Sequence, residues 1–281
     1  MQTNGGLEIK IKISIITPSL NSEKFIKNNL EIIHLKQKGN FQIEQIIIDG
    51  NSTDNTLKII NEFKKKYNAD IKIIQGKDKN MYDAINKGMK LVTGDIWACL
   101  NTDDQYIPDI FSTIVDEFKK QPETEVVYGN LEYVNEKGNF ERELYLPKFD
   151  IDFLILTKAS ANIYQPAAFL RKRVIKKIGF FNTNYNYASD YDYFIRVGLN
   201  CKLKQIEKPV TKFTLHDNSI TWGNKKTASV QKKESEEIST KYIKETKKKS
   251  IRCALFLHYI KQMKLKNLKY LSKRLLKNIL N

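Results

Sequence analysis

The chain has 281 residues, 41% of them hydrophobic, and 48 Lys and Arg against 32 Asp and Glu give it a formal net charge of +16. That is enough apolar material for one large core or a core with an appendage, and no run matches the ~20 apolar residues of a membrane-spanning helix. Residues 1–10 are polar and do not read as a signal peptide; the most apolar late stretch, 251–260, is interrupted by Arg252 and His258. Cys99, Cys201 and Cys253 are too scattered for a disulfide framework or a metal motif. With Cys99 inside an apolar strand signal, a reducing cytoplasm is expected. The charge is uneven: residues 225–281 hold 17 basic and 4 acidic groups, whereas the first 224 are close to balanced at 31 and 28. A body at 1–224 and a basic helical extension at 225–281 follow from that division.

In chain order, "IKISIIT" at 11–17 is a strand signal ending in Pro18 and Ser19, and a helical stretch follows from 22 to about 36. "IEQIIIDG" reads as a second strand, its uninterrupted Ile46-Ile47-Ile48 run suiting a parallel strand covered on both faces. Leu57, Ile60, Phe63 and Tyr67 recur at helical spacing behind the capping residues of "NSTDNT". "ADIKIIQG" is a third strand, "MYDAINKGMKLV" a third helix and "GDIWACL" a fourth strand. This alternation predicts a parallel α/β sheet through about residue 120. Beyond Pro122, an alternating stretch broken by Lys137-Gly138-Asn139 predicts a hairpin. A loop-rich region is expected at 148–164, then a strand running into a short basic helix at 165–181. "SDYDYFIRVGL" predicts a helix, and residues 201–216 two short strands. There are no internal repeats.

Ligands of open α/β sheets bind outside the carboxyl ends of the strands. Three such ends are polar here: Thr17-Pro18-Ser19, Asp49-Gly50-Asn51-Ser52 and Asn101-Thr102-Asp103-Asp104. Adjacent carboxylates at the lip of a buried strand repel each other and resist desolvation. A hard divalent ion shared with a ligand's phosphates would relieve both problems. Asp103 and Asp104 as solvated turn residues capping the next helix is the plainer alternative that the pair alone leaves open.

"ISIITPSLN", "IIIDGNSTDNT", "MYDAINKGMKLVTGD", "LNTDD" and "SDYDYFIRV", in this order across residues 11–220, resemble the family 2 glycosyltransferases of the GT-A fold, of the bacterial polysaccharide-biosynthesis type. The resemblance implies metal-dependent, inverting transfer of a sugar, of hexosyltransferase type, from a nucleotide-diphosphate donor, UDP-linked, to an acceptor hydroxyl. It implies Mn2+ or Mg2+ on Asp104, with Asp103 near ribose and metal, and Asp190 as the general base, ahead of Asp192. It also implies Pro18, Ser19, Asn21, Asp49, Asp83 and Asn86 as nucleotide-sugar contacts. His216, followed by Ser219 in "FTLHDNSIT", is similar to a late His/Ser element that approaches the metal in some relatives; a lone His after a strand is equally readable as a partly buried structural residue. Gly50 and Leu20 depart from the pattern, where many relatives carry an acidic and an aromatic residue, which leaves base stacking and base identity open. Without the resemblance, Asp49 and Asp190 are equally readable as turn and capping carboxylates.

Apolar residues at three- and four-residue steps from Leu255 to Ile279, amid Lys and Arg, make a basic amphipathic helix. Such a helix binds an anionic membrane surface or packs on the body, and the pattern alone leaves both open. A lipid-linked glycan acceptor and a peripheral position on the inner membrane face would suit the first. Nucleic-acid binding is not expected, because the body is near neutral and carries no nucleic-acid motif. A nucleotidyltransferase or a silent sugar-nucleotide-binding protein of the same fold is the alternative; "TPSLNSEKF" lacks the glycine-rich loop of the former.

Overall fold

The computed structural model describes residues 10–158, 163–215 and 225–245. Four parallel strands come first, β1 (Ile11–Ser19), β2 (Phe41–Asp49), β3 (Ile71–Gln75) and β4 (Ile96–Cys99). They are joined through helices α1 (Ile26–His34), α2 (Thr56–Tyr67) and α3 (Met81–Met89). The chain continues through β5 (Gln105–Tyr106), α4 (Ile110–Lys120), the β6 (Val126–Asn135) and β7 (Phe140–Leu144) hairpin, and α5 (Ile151–Thr157). The last described elements are β8 (Ala168–Arg171), α6 (Arg173–Ile178), α7 (Ser189–Asn200), β9 (Leu203–Leu215) and α8 (Lys225–Tyr242). All nine strands join one mixed sheet in the order β3-β2-β1-β4-β8-β6-β9-β5, with β7 on β6.

The parallel half follows from composition. β4 is buried along its whole length and entirely apolar, and β2 is buried over its last six residues, where Ile46–Ile48 supply the apolar run and Glu44, Gln45 and Asp49 are buried polar groups. α1 and α2 lay Ile26, Leu30, Ile60 and Phe63 on one face of this half, in a small core with Ile47 and Ile71. α3 lies on the larger core, so close to β1 that a Cβ at Gly88 would stand 2.5 Å from Ile16 Cγ2. Only glycine fits that approach.

Two expectations need correction. Residues 148–164 are not all loop: Asp150 caps α5 by accepting from Phe153 N–H at 2.9 Å, and Phe153, Leu154 and Ile155 are buried. A helix covered on several sides has no polar face, so its sequence shows no helical period. Residues 201–216 do not split into two strands either, because β9 is one strand of 13 residues. It bulges around Pro209, where the register to β6 slips twice. Gly129 of β6 admits the bulge; a Cβ there would meet Val210 and the Lys208 carbonyl at 2.5 and 2.6 Å.

At the amino edge of the sheet, Glu44 is fully buried and ties four segments together. Its carboxylate accepts from Ser14 Oγ (2.5 Å), Thr93 N–H (2.7 Å), Thr93 Oγ1 (2.8 Å) and Lys72 Nζ (2.9 Å). Burial alone would raise its pKa, but these donors outweigh burial and hold it well below the usual carboxylate range. This edge is closed and structural; the carboxyl edge is where buried polar atoms lack partners.

Candidate active site

Parallel pairing puts the polar strand ends at one level. Ser19 pairs directly with Asp49 across β1 and β2, Asp49 with Gln75 of β3, and Ile16 with Cys99 of β4. Asn101–Asp104 therefore emerges beside Ser19 and Asp49, and the three ends that the sequence marks as polar meet at the carboxyl edge of the sheet. The loops behind them are interlocked. Thr102 Oγ1 donates to Ser22 Oγ (3.1 Å), Ser22 N–H to Thr56 Oγ1 (2.7 Å), and Asn29 Nδ2 to the Asn101 carbonyl (3.0 Å).

Asp49 is fully buried, and its two oxygens accept from Ser52 N–H (2.9 Å) and Ser52 Oγ (2.6 Å). Each oxygen keeps a second lone pair. Asn21 takes a left-handed conformation (φ 47°), its N–H on Ser52 Oγ and its Oδ1 accepting from Thr53 N–H, so it latches the loop after β1 to the loop after β2. Pro18 is half-buried at the end of β1. Leu20 is 61% exposed and lies over Gly50, where a Cβ would touch its Cδ1 at 3.3 Å.

The carboxylate pair is anchored by β9. Thr214 N–H donates to Asp104 Oδ1 (3.1 Å) and Thr214 Oγ1 to the Asp103 carbonyl (2.5 Å). Asp104 is 1% exposed, and its Oδ2 has no hydrogen-bond partner; Asp103 is half-buried. Burial first, and the charge of Asp103 second, push the Asp104 pKa well above the usual range, against the Thr214 N–H that lowers it. Ser19 Oγ and Asn101 Oδ1 are also buried without partners. Three orphaned oxygens along one strand edge are costly unless a ligand or cation meets them. Among the described residues there is no group of three or more His, Cys, Asp and Glu able to cage a metal. One or two carboxylates beside a diphosphate suffice for Mg2+ or Mn2+, so the residues present fit such an ion. His216, expected near it, lies outside the described residues; β9 ends at Leu215, next to the residue that holds both aspartates.

The helix that follows a parallel strand starts at the strand's carboxyl edge, which brings the first turn of α3 to the same cleft. There Tyr82 Oη donates to Asp190 Oδ1 (3.1 Å) at the start of α7. The Asp190 carboxylate also accepts from Tyr191 N–H (2.9 Å). Its pKa is raised, chiefly by burial; the Tyr191 and Tyr82 donors oppose the rise and the nearby Glu234 charge adds to it. Asp192 faces away: its carboxylate, 2% exposed, binds Arg196 Nε (2.9 Å) and Tyr242 Oη (3.0 Å), and it anchors α8. Asn86 also departs from expectation. Its Nδ2 donates to the Phe181 carbonyl and its Oδ1 accepts Phe181 N–H, both at 2.9 Å, which makes it a buried strut between α3 and the segment before α7. Asp83 is engaged at its own helix start, accepting from Lys79 N–H (3.1 Å) and pairing with Lys87 (3.3 Å). Sequence reasoning missed Tyr82, for which an aromatic in a helix gives no signal, and the contribution of α8. The first turns of the basic extension belong to the body, with Ile238 fully buried in the main core.

A cleft at the carboxyl edge of a parallel half-sheet, with orphaned acceptors at one side and a raised carboxylate at the other, suits a phosphate-bearing ligand and removal of a proton. The sequence profile of glycosyl transferase family 2 matches residues 14–179. A PGL/p-HBAD biosynthesis glycosyltransferase of Mycobacterium bovis is 31% identical over 184 residues, covering 65% of this chain and 68% of the relative. S. aureus TarS superposes with a TM-score of 0.65 at 16% identity over 95% of this chain and 46% of TarS, so the chain spans under half the TarS length. The TarS 1–349 structure in complex with UDP-GlcNAc gives 0.63 at 16% identity, over 95% and 78% of the two chains. Mannosyltransferase PcManGT from Pyrobaculum calidifontis, in complex with GDP-Man and Mn2+, gives 0.57 at 13% identity over 76% and 60%. The chain belongs to glycosyl transferase family 2, and its helix-flanked mixed sheet is the GT-A fold that the sequence resembles.

Proposed function

We propose that the protein is an inverting glycosyltransferase that moves a sugar from a nucleotide-diphosphate donor to an acceptor hydroxyl. The observation that carries this reading is the trio of unpartnered buried oxygens, Ser19 Oγ, Asn101 Oδ1 and Asp104 Oδ2, at the strand edge. Asp49 and Ser19 would receive the nucleoside, and Asn21 holds the loops that wall it. Asp103 and Asp104, with His216, would hold Mn2+ or Mg2+ against the diphosphate. Such an ion stabilises the charge that grows on the leaving diphosphate.

The acceptor oxygen attacks the anomeric carbon from the face opposite the diphosphate, and the anomeric C–O bond breaks with its electron pair going to the leaving phosphate oxygen. The Asp190 carboxylate takes the acceptor proton, so configuration inverts. Its raised pKa makes it a better base than an ordinary surface aspartate. UDP is the preferred nucleotide of this proposal, supported by the UDP-GlcNAc complex of TarS and by a carboxylate at Asp49 able to accept a uracil N–H.

The acceptor is a glycan or lipid-linked glycan of a surface polysaccharide. Residues 246–281 carry eleven Lys and Arg and no Asp or Glu, which supports attachment to an anionic membrane surface near such an acceptor. They lie outside the described residues; among those described, no helix is long and apolar enough to cross a membrane.

The test is a panel of UDP- and GDP-sugars incubated with Mn2+, scored for release of the nucleoside diphosphate. Release from one of them, lost when EDTA is added, is the expected result. A protein that binds and cleaves none of the panel would overturn the reading.

A further inference from the structure

The turn that delivers Asp190 into α7 is gripped from the C-terminal helix. Glu234 of α8 accepts three consecutive backbone N–H groups, from Asn186 (2.8 Å), Tyr187 (2.9 Å) and Ala188 (3.0 Å). Gln231 Nε2, one turn earlier on α8, donates to the Tyr187 carbonyl (3.3 Å), and Tyr185 Oη donates to Glu237 (3.1 Å). On the opposite side Asn80, the cap of α3, donates to the Thr183 carbonyl and to Asn186 Oδ1, both at 3.0 Å. The turn is thus clamped between the helix that bears Tyr82 and the helix that bears Glu234. A carboxylate taking three amides that precede a helix makes charge-assisted bonds aligned with the helix dipole.

We propose that Glu234 is a positioning residue for Asp190, which makes α8 part of the catalytic unit rather than an appendage. The proposal rests on Asp190 as the base. α8 does not depend on Glu234 for its docking: Ser239 Oγ donates to the Ile155 carbonyl (2.8 Å), Tyr242 Oη to Asp192, and Ile238 is fully buried. Replacing Glu234 should therefore loosen the turn without releasing the helix. Among the described residues, the leading titratable groups acting on Asp190 are Tyr82 from α3 and Glu234 from α8, so removing Glu234 also removes a negative neighbour of the proposed base.

Glu234→Ala and the milder Glu234→Gln test this, each compared with Asp190→Asn. The readouts are thermal unfolding, binding of UDP with Mn2+, the carboxyl 13C titration of Asp190, and kcat and KM on the nucleotide sugar that the panel selects. Glu234→Ala is expected to lower the Asp190 titration midpoint and cut kcat about 10- to 100-fold, the scale of a small misplacement of a reacting group. Donor KM and UDP binding should stay near wild type. Glu234→Gln, which keeps one acceptor oxygen, should fall between, and Glu234→Ala should add nothing to Asp190→Asn. An Asp190 titration and kcat unchanged in Glu234→Ala would overturn the proposal, as would loss of UDP binding in step with kcat. If Asp190→Asn itself kept wild-type turnover, the base assignment would fail instead. The carboxyl titration still reports then whether Glu234 acts on Asp190.

Discussion

Tyr82 and Asp190, 108 positions apart in the sequence, meet across 3.1 Å through a hydroxyl that donates to the carboxylate. Tyr82 is held for this purpose: it is 3% exposed, and its ring stacks on Phe181, which stacks in turn on Tyr193. In the proposed role of general base, Asp190 would contribute a factor on the order of 10²–10⁴. Asp190→Asn is expected to lower kcat by that much and leave UDP binding with Mn2+ unchanged, measured by single-turnover assay and calorimetry. Tyr82→Phe should retain turnover at high pH and lose it at low pH, because the missing donor raises the Asp190 pKa further.

The pH dependence follows from the same site. Burial raises the Asp190 pKa above that of an ordinary aspartate, ~3.9. The proposed base would work only when ionised, so kcat should rise tenfold per pH unit below that raised value and level off above it. The stability effect has the opposite sign. A carboxylate harder to ionise folded than unfolded favours the fold at low pH, and this contribution is lost as pH rises through the folded pKa. Asp190→Asn is therefore expected to be more stable than wild type at neutral pH and no more stable near pH 3. Thermal melts across that range decide it.

The parallel half of the fold was legible because β1, β2 and β4 are largely buried and its helices are amphipathic: the apolar runs at 46–48 and 96–100 fall between helical periods. The cleft was legible too, since strand ends in a parallel sheet must emerge together, and Ser19, Asp49 and Asp103 do. What could not be read is what depends on pairing at long range. Asn86 has the residue type of a ligand contact and the geometry of a strut, and only the Phe181 backbone 95 positions away tells them apart. Glu234 sits in "KKESEEIS", a string that reads as solvated charge until folding sets it under three amides. α5 hid for the opposite reason, being too buried to show a polar face.

The orphaned Asp104 Oδ2 makes metal the next prediction. UDP alone should stabilise the protein little, and UDP with Mn2+ much more. At a hundredfold excess over the dissociation constant, a ligand of the folded state contributes about 2.7 kcal/mol, or a melting shift of about 5 °C for a chain of this size. Asp104→Asn should erase the Mn2+-dependent part of the shift, and Asp103→Asn reduce it. Equal shifts with and without Mn2+ in the wild type would count against a metal-assisted site.

Glu44 predicts an effect on stability without one on chemistry. It stands at the amino edge, away from the cleft, and its buried carboxylate is shared by Ser14, Thr93, Lys72 and Lys12. Glu44→Gln takes the counter-charge from Lys72, leaves Lys12 with Asp70 alone and misplaces an NH2 group among donors, at a cost of about 2–4 kcal/mol. Because the folded pKa is depressed, the stabilisation is present above the unfolded value of ~4.3 and is lost as pH falls below it. The gap in denaturation midpoint between wild type and Glu44→Gln should thus be wide at pH 7 and narrow toward pH 3, while kcat at 20 °C is unchanged.

The last prediction separates the basic tail from the helix before it. α8 contributes Glu234, Ile238 and Ser239 to the body, so cutting the chain ahead of residue 225 should unfold or inactivate the protein. Cutting after Glu245 removes eleven basic residues and none of these contacts. Each Lys or Arg near an anionic bilayer contributes about 1 kcal/mol, an attraction confined to a Debye length of ~10 Å at 0.1 M salt. The full chain should therefore sediment with vesicles containing phosphatidylserine and come off as salt rises, and the chain ending at Glu245 should stay in the supernatant. Its melting temperature and its donor hydrolysis should match the full chain, because the proposed site residues and the α8 anchors all precede the cut. Transfer to a lipid-linked acceptor in those vesicles should drop, and transfer to a short soluble acceptor should not. A shortened chain that melts early or aggregates would show instead that residues 246–281 cover the body, and the membrane proposal would fall.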